Sequence, residues 1–198
     1  MSRNARLYYY YATMKANKSL EAITTIQKYK FQNKKYLAFK PRIDTRNGPY
    51  IYSRALDIKI PVDAMIADGT KELMYYMAKY CNPHAVIIDE VQFMKEHHIE
   101  ELVGIVEELD IPVIAYGLLT DFQGKLFEGS KAMIEHADKI SEIKTECFYC
   151  HRKANRNMRT VDDKPIFEGE QVFVGDEDYI PTCRNCYNKL KSEVSNGN

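Results

Sequence analysis

Leu7-Tyr8-Tyr9-Tyr10-Tyr11-Ala12-Thr13-Met14-Lys15-Ala16-Asn17-Lys18-Ser19 leads into Leu20, Ile23, Ile26 and Tyr29, spaced as one face of a helix that runs to Phe31. The tyrosine run is a short block of β-favouring residues, and the later periodicity is that of an amphipathic helix. Between them, Ala12–Ser19 has the spacing of the phosphate-binding loop G-x-x-x-x-G-K-[ST], with Ala12 and Asn17 where its glycines stand. The stretch therefore predicts strand, phosphate-gripping turn and helix. Taken alone, Lys-Ser ahead of an amphipathic helix is also an ordinary helix start.

The chain beyond it alternates in the same way. Tyr36-Leu37-Ala38-Phe39 reads as a strand closed by Lys40-Pro41, and residues 42–60 as a long polar connection. Gly69 to Tyr80 reads as a helix with Leu73, Met77 and Tyr80 on one side. Ala85-Val86-Ile87-Ile88 is a buried strand, His97 to Leu109 a helix, and Pro112-Val113-Ile114-Ala115-Tyr116 a further strand. Short apolar strands alternating with helices predict a mostly parallel sheet covered on both faces, with ligands bound beyond the carboxyl ends of the strands. Four polar clusters fall at such ends: Lys18-Ser19, Asp44 with Arg46, Asp89-Glu90 and Thr120-Asp121. Ile87-Ile88-Asp89-Glu90 after the loop gives the order Walker A, then Walker B. In that arrangement a lysine holds β- and γ-phosphates, a hydroxyl and an aspartate hold Mg²⁺, and an adjacent carboxylate such as Glu90 can accept a proton. The plainer reading of Asp89-Glu90 is two solvated acids at a sheet edge.

With 198 residues the chain can bury one substantial core and a small appendage. Its 28 basic and 28 acidic residues leave no broad electrostatic footprint for nucleic acid or an anionic membrane. No apolar run is long enough to span a bilayer, and the start at Met1 lacks the pattern of a signal peptide, so a cytoplasmic setting with reduced thiols is expected. Of five cysteines, Cys147 and Cys150, then Cys183 and Cys186, form two C-x-x-C pairs. Two such knuckles make a tetrahedral, closed and hence structural Cys₄ zinc site; the alternatives are two disulfides or unligated thiols. Cys81 reads as an ordinary thiol at a helix end.

At this point the chain resembles the type II thymidine kinases, P-loop enzymes with a zinc-bound lasso, and most closely their microbial branch. The resemblance runs from Tyr8 to Lys189. It rests on Met14 within the loop, Lys40-Pro41-Arg42-Ile43-Asp44-Thr45-Arg46, and Ile88-Asp89-Glu90-Val91-Gln92-Phe93. Tyr116-Gly117-Leu118-Leu119-Thr120-Asp121-Phe122, Lys125-Leu126-Phe127-Glu128-Gly129-Ser130, Glu168-Gly169-Glu170-Gln171-Val172 and Gly175-Asp176-Glu177-Asp178-Tyr179 continue it. It implies transfer of the γ-phosphoryl group of ATP to the 5′-hydroxyl of a deoxypyrimidine nucleoside, chiefly thymidine, in DNA-precursor salvage, by a homo-oligomer, in this family a tetramer.

By the same resemblance Thr13, Met14, Lys15, Ala16, Asn17, Lys18 and Ser19 form the ATP site with Asp44, Arg46, Asp89 and Gln92. Ser19 and Asp89 hold Mg²⁺, and Glu90 is the base. Met14, Phe93, Leu118, Phe122, Phe127 and Asn157 surround the nucleoside, Tyr179 covers the base, and main-chain groups near Val172, Val174 and Gly175 read its edge. For the aromatic residues the plainer role is core packing. Four positions depart from the family pattern. Ala12 is tolerated in microbial members. Asn17 replaces a glycine of positive φ and puts a side chain beside the phosphates, which makes a catalytically silent nucleotide-binding relative the second reading. Leu119 stands for a usual arginine, and Asn157 stands where threonine neighbours the base's methyl group, which bears on the choice of pyrimidine.

The sequence thus predicts an α/β protein: a P-loop (RecA-like) kinase domain over residues 1–143, a small zinc-binding lasso over 144–191 and a disordered tail over 192–198. His97-His98 is expected to face water at a helix start. The four tyrosines are expected in a central strand with their phenols paired, and Lys28, Lys30, Lys34 and Lys35 at a solvated helix end.

Overall fold

The computed structural model describes residues 4–171 and 178–196. In chain order, β1 (Leu7–Ala12) leads to α1 (Lys18–Phe31), β2 (Leu37–Pro41), β3 (Tyr50–Ser53), β4 (Ile58–Pro61) and β5 (Ala64–Ile66). Then come α2 (Leu73–Cys81), β6 (Val86–Ile88), a 3₁₀ turn at Val91–Phe93, α3 (Glu96–Leu109), β7 (Val113–Leu118), α4 (Glu128–His136) and β8 (Lys139–Glu142). β9 (Arg156–Val161), β10 (Lys164–Ile166), β11 (Asp178–Thr182) and α5 (Arg184–Asn196) complete the chain.

Six strands form one sheet in the order β5-β2-β6-β7-β1-β8, every pairing parallel. Alternation along each strand feeds two cores. Leu37, Phe39, Val86 and Ile88 meet Met74, Ile99, Leu102 and Ile105 on one face. Ala38 and Ile87 meet Ala22, Ile23 and Ile26 of α1 on the other, with Ile51 and Ile60 from the β3–β4 pair. The Asn17 side chain makes no capping bond to α1. Burying Ile23 and Ile26 contributes about 1.5–3 kcal/mol each, against about 1 kcal/mol for a typical cap, so packing decides where α1 lies. The tyrosine strand β1 is internal to the sheet: the Tyr9 hydroxyl donates to the Leu118 carbonyl at 2.6 Å, and Tyr10 stacks on Tyr116 with ring centroids 5.3 Å apart.

Beside the large sheet, β10-β9-β11 form a three-stranded antiparallel sheet. It is held to the 120s loop by Tyr187, whose hydroxyl donates to the Phe122 carbonyl at 2.6 Å, and by Arg159, which lies over the Phe122 ring at 5.1 Å. No helix among the described residues is long and apolar enough to cross a membrane.

The structure corrects four expectations. Residues 42–60 are not all connection, because Tyr50–Ser53 and Ile58–Pro61 pair as a hairpin. α2 begins at Leu73, since Glu72 has φ 57 and breaks any helix from Gly69. Its inward face is Met74 and Ala78, whereas Tyr80 is 81% exposed. His98 is buried rather than solvated: its Nδ1 accepts from the Lys95 N–H at 3.2 Å, which leaves Nε2–H to donate to the Thr70 carbonyl at 2.9 Å. Residues 192–196, expected as tail, continue α5, whose Tyr187 is buried.

Gly129 fixes how closely α4 approaches the turn after β6. A Cβ there would stand 2.4 Å from the Val91 carbonyl oxygen and 2.7 Å from that of Met94, both backbone atoms. Gly129→Ala should therefore lower stability by about 1–3 kcal/mol, whereas Gly69→Ala, with nothing within 4 Å of its Cβ, should stay within about 0.5 kcal/mol. Urea denaturation of the two variants beside the parent checks this; equal midpoints for both would refute it.

Candidate active site

Because all six strands run the same way, the loops after β1, β2, β6 and β7 leave from one edge of the sheet. They converge on a cleft of about 220 Å³. Lys18, Ser19, Asp44, Arg46, Asp89 and Glu90 line one part of it, and Met14, Phe93, Leu118, Phe122, Phe127 and Tyr179 the other. Thr13 and Gln92 stand behind this wall, and the Val172, Val174 and Gly175 positions lie outside the described residues.

The turn after β1 holds two left-handed residues, one of them where the second glycine is missing. Asn17 lies at φ 59, ψ 26, and Lys15 also has a φ of 59. Asparagine is among the few residues that take this left-handed conformation at small cost. Lys18 folds back over the turn and donates to the Thr13 carbonyl at 2.9 Å. Burial pushes its ammonium pKa down, while Glu90 and Asp89 oppose that shift.

Ser19 Oγ donates to Asp89 Oδ2 at 3.0 Å. The other oxygen, Oδ1, is buried without a partner, as is Thr13 Oγ1. Burial, and then the neighbouring Glu90 charge, raise the Asp89 pKa to about 7, against the pull of Ser19 and Lys18. A buried carboxylate with one vacant oxygen beside a hydroxyl is a donor set that fits Mg²⁺.

Asp44 is saturated by contrast. Its Oδ2 faces Lys40 Nζ at 2.8 Å and its Oδ1 faces Arg46 Nε at 2.6 Å. Burial alone would raise its pKa, but the hydrogen bonds and charges of Arg46 and Lys40 hold it below the ordinary carboxylate value. Arg46 Nη2 reaches Glu90 Oε1 at 3.2 Å, and Gln92 Nε2 donates to Glu90 Oε2. Gln92 Oε1 in turn accepts from the Leu118 N–H at 2.9 Å. Gln92, expected as a cofactor contact, thus holds Glu90 in this structure. Glu90 itself has φ 54, the kind of local strain, about 1–3 kcal/mol, that persists where neighbours over-determine a functional geometry.

Elsewhere on the cleft lining, Phe93 and Phe127 meet edge to face with centroids 5.6 Å apart. Asn157 is buried and spent on the protein: its Oδ1 accepts from the Met14 N–H at 2.7 Å, and its Nδ2 donates to the Thr120 carbonyl at 2.8 Å. Leu119 packs against the main core. Sequence reasoning missed Lys40 and Gln171, and it placed Asp121 at the cleft only as part of the Thr120-Asp121 cluster. Gln171 donates to Asp121 Oδ2 at 2.9 Å, tying the lasso side of the cleft to the 120s loop. Lys40 and Gln171 stand inside the quoted motifs, but nothing in their spacing separates them from solvated residues.

The sulfur atoms of Cys147, Cys150, Cys183 and Cys186 all lie within 4.8 Å of one another, and none is in a disulfide. Cys150 and Cys183 sulfurs are 3.6 Å apart. Tetrahedral zinc with Zn–S of about 2.3 Å requires S···S of about 3.8 Å, so the cluster fits zinc.

The sequence matches the family described as thymidine kinase over residues 5–187. The chain belongs to the thymidine kinase family. Among its relatives, the thymidine kinase of Streptococcus gordonii is 42% identical over 193 residues, covering 97% of this chain and 100% of the relative. That of Lactococcus lactis subsp. lactis is 41% identical over 187 residues, 93% of this chain and 98% of its own. That of Enterococcus faecalis is 38% identical over 189 residues, 92% and 94% of the two chains.

The raised Asp89 pKa has a signed consequence for this family member. Without added magnesium, the folded protein holds a proton on Asp89 up to about pH 7, whereas the unfolded chain releases it near pH 4. Stability should fall as pH rises through that window. Asp89→Asn should melt several degrees above the parent at pH 8, by a margin that shrinks as the pH falls towards 4; thermal melts giving the same difference at pH 8 and pH 4.5 would refute this.

Proposed function

We propose that the protein is an active thymidine kinase, transferring the γ-phosphoryl group of ATP to the 5′-hydroxyl of thymidine or a related deoxypyrimidine nucleoside in DNA-precursor salvage. The observation that carries this reading is the meeting, in one cleft, of a phosphate turn with Asn17 in a glycine-like conformation, the Ser19–Asp89 pair, and Glu90 facing an aromatic wall. Thr13 to Ser19 cradle the phosphates, with the Asn17 side chain beside them, and Arg46 neutralises charge on the transferred group. Ser19 and Asp89 would hold Mg²⁺, which would supply positive charge against the polyphosphate. The nucleoside O5′ attacks γ-phosphorus, the bond to the β,γ-bridging oxygen breaks, and ADP leaves. The hydroxyl proton passes to Glu90 as the new P–O bond forms. Met14, Phe93, Leu118, Phe122 and Phe127 hold the base and sugar, Tyr179 covers the base, and the backbone near Val172, Val174 and Gly175 reads its edge. Asn157 shapes this pocket through Met14 and Thr120.

Zinc on the four cysteines pins the lasso, residues 144–191, to the kinase domain, residues 1–143. The protein works in the cytoplasm as a homo-oligomer, a tetramer by family resemblance. The exposed apolar side chains of Leu73, Tyr76 and Tyr80 on α2 support self-association. The silent reading rested on Asn17, and no observation favours it now that the residue occupies the conformation a glycine would supply.

A phosphoryl-transfer assay with Mg²⁺-ATP against thymidine, deoxyuridine and deoxycytidine tests the proposal. Product should form with the parent and with Asn17→Gly, and Glu90→Gln should lower kcat by about 10²–10⁴-fold. No product from the parent, with turnover restored in Asn17→Gly, would establish the silent reading instead.

Metal analysis should find one zinc per chain, lost together with the folded lasso in Cys183→Ser. A folded parent carrying no zinc and four titratable thiols would reject the staple.

A further inference from the structure

We infer that Lys40 is a positioning residue for the transfer centre, setting the Arg46 guanidinium, and through it the Glu90 carboxylate, by occupying one oxygen of Asp44. Lys40 is the penultimate residue of β2 and only 1% exposed. Its Nζ meets Asp44 Oδ2 at 2.8 Å and the Tyr50 carbonyl at 3.3 Å, so the loop from Pro41 to β3 wraps around the ammonium. Stability does not account for a lysine here. A buried ion pair is often matched or bettered by apolar side chains of the same volume, so a charge kept at such a depth calls for another reason.

The reason lies in how Asp44 is shared. A carboxylate facing an arginine alone favours a two-pronged pairing, with both oxygens taken by the planar guanidinium. Lys40 holds Oδ2, so Arg46 has only Oδ1, met by Nε at 2.6 Å, and Nη2 is left to reach Glu90 Oε1 at 3.2 Å. Glu90 is held from its other side by Gln92, itself fixed to the Leu118 N–H of β7. A continuous chain of polar contacts thus spans the cleft from β2 to β7. Its two ends, Lys40 and Gln92, are each 1% exposed, and its middle, Arg46 at 30% and Glu90 at 14%, lines the cleft. Without the Lys40 charge, Asp44 would take Arg46 with both oxygens and draw the guanidinium off Glu90. Misplacement of a reacting group by about 1 Å suffices to cost about 10²-fold in rate.

This assignment rests on the kinase reading. In Lys40→Met, kcat should fall at least about tenfold while KM for thymidine moves less than about threefold. Lys40→Gln, which keeps an N–H donor toward Asp44, should recover part of that loss, and carries the test if Lys40→Met fails to fold. In an Arg46→Ala background the same change at Lys40 should cost almost nothing more, because the group it positions is gone. Independent, multiplying losses in that cycle, a change confined to KM, or an unaltered kcat would overturn the assignment. A parent without turnover would reject the kinase reading instead. The crystal structure of the Lys40 variant then decides alone: Arg46 paired twice to Asp44 supports the assignment, and Arg46 still on Glu90 overturns it.

Discussion

The parallel direction of all six strands is the constraint from which the site follows. Each strand must be re-entered from the same end, so helices return over both faces and every carboxyl end points to one edge. Neighbouring strands lie about 4.8 Å apart, which brings the loops after β2, β6 and β7 within one side chain's reach of each other. Asp44 and Arg46 follow β2, Glu90 and Gln92 follow β6, and Leu118 ends β7, which is the sheet order of those strands. The contacts among these residues are consequences of that order. No long connection had to be bent to bring them together.

Charge divides the same edge into a finished part and a waiting part. Lys40, Asp44, Arg46, Glu90 and Gln92 are joined in a continuous chain of polar contacts. Around the phosphate turn, by contrast, Asp89 Oδ1 and Thr13 Oγ1 are buried without partners. An unmet buried polar atom costs about 1–3 kcal/mol, and the burial that raises the Asp89 pKa expresses the same penalty. Under the proposed function, such groups would be what the protein gives up in stability to hold a cation and a polyphosphate. The polar chain fixes Glu90, and in the proposed reaction the unpaired atoms would face the cation and the polyphosphate.

The layout was legible where burial leaves an unbroken pattern. β6 reads as a fully buried apolar strand ending in two acids, and the cysteine spacing has few other physical uses. The positive φ at Asn17 was also readable, because a turn of that spacing demands it whatever residue is present. What escaped depends on partners far along the chain. β3 and β4 are short and earn their burial from Ile51 and Ile60 against α1, which no local pattern reveals. The rotation of α2 is set by contacts with α3, and Glu101 of α3 accepts the Tyr75 N–H at 2.7 Å, so the apolar face that counts was not the one with the larger side chains. His98 is drawn inward by the Thr70 carbonyl, and α5 continues through a polar tail once Tyr187 is seated. Lys40 was invisible as a working residue because its partner lies four positions away in a loop whose path the sequence leaves open.

Asn17 shows most sharply how backbone and side chain carry separate demands. A phosphate loop needs its N–H groups turned inward, and the left-handed φ at this position supplies that turn with or without a glycine. What glycine adds is an empty space. Here the space is taken by an amide that is exposed, lines the cleft and makes no capping bond to α1. An amide in that position offers N–H donors to an anion, where a methyl or a branched chain would only obstruct it. The substitution therefore exchanges room for hydrogen-bonding capacity, while the residue keeps the left-handed φ of 59 at this position.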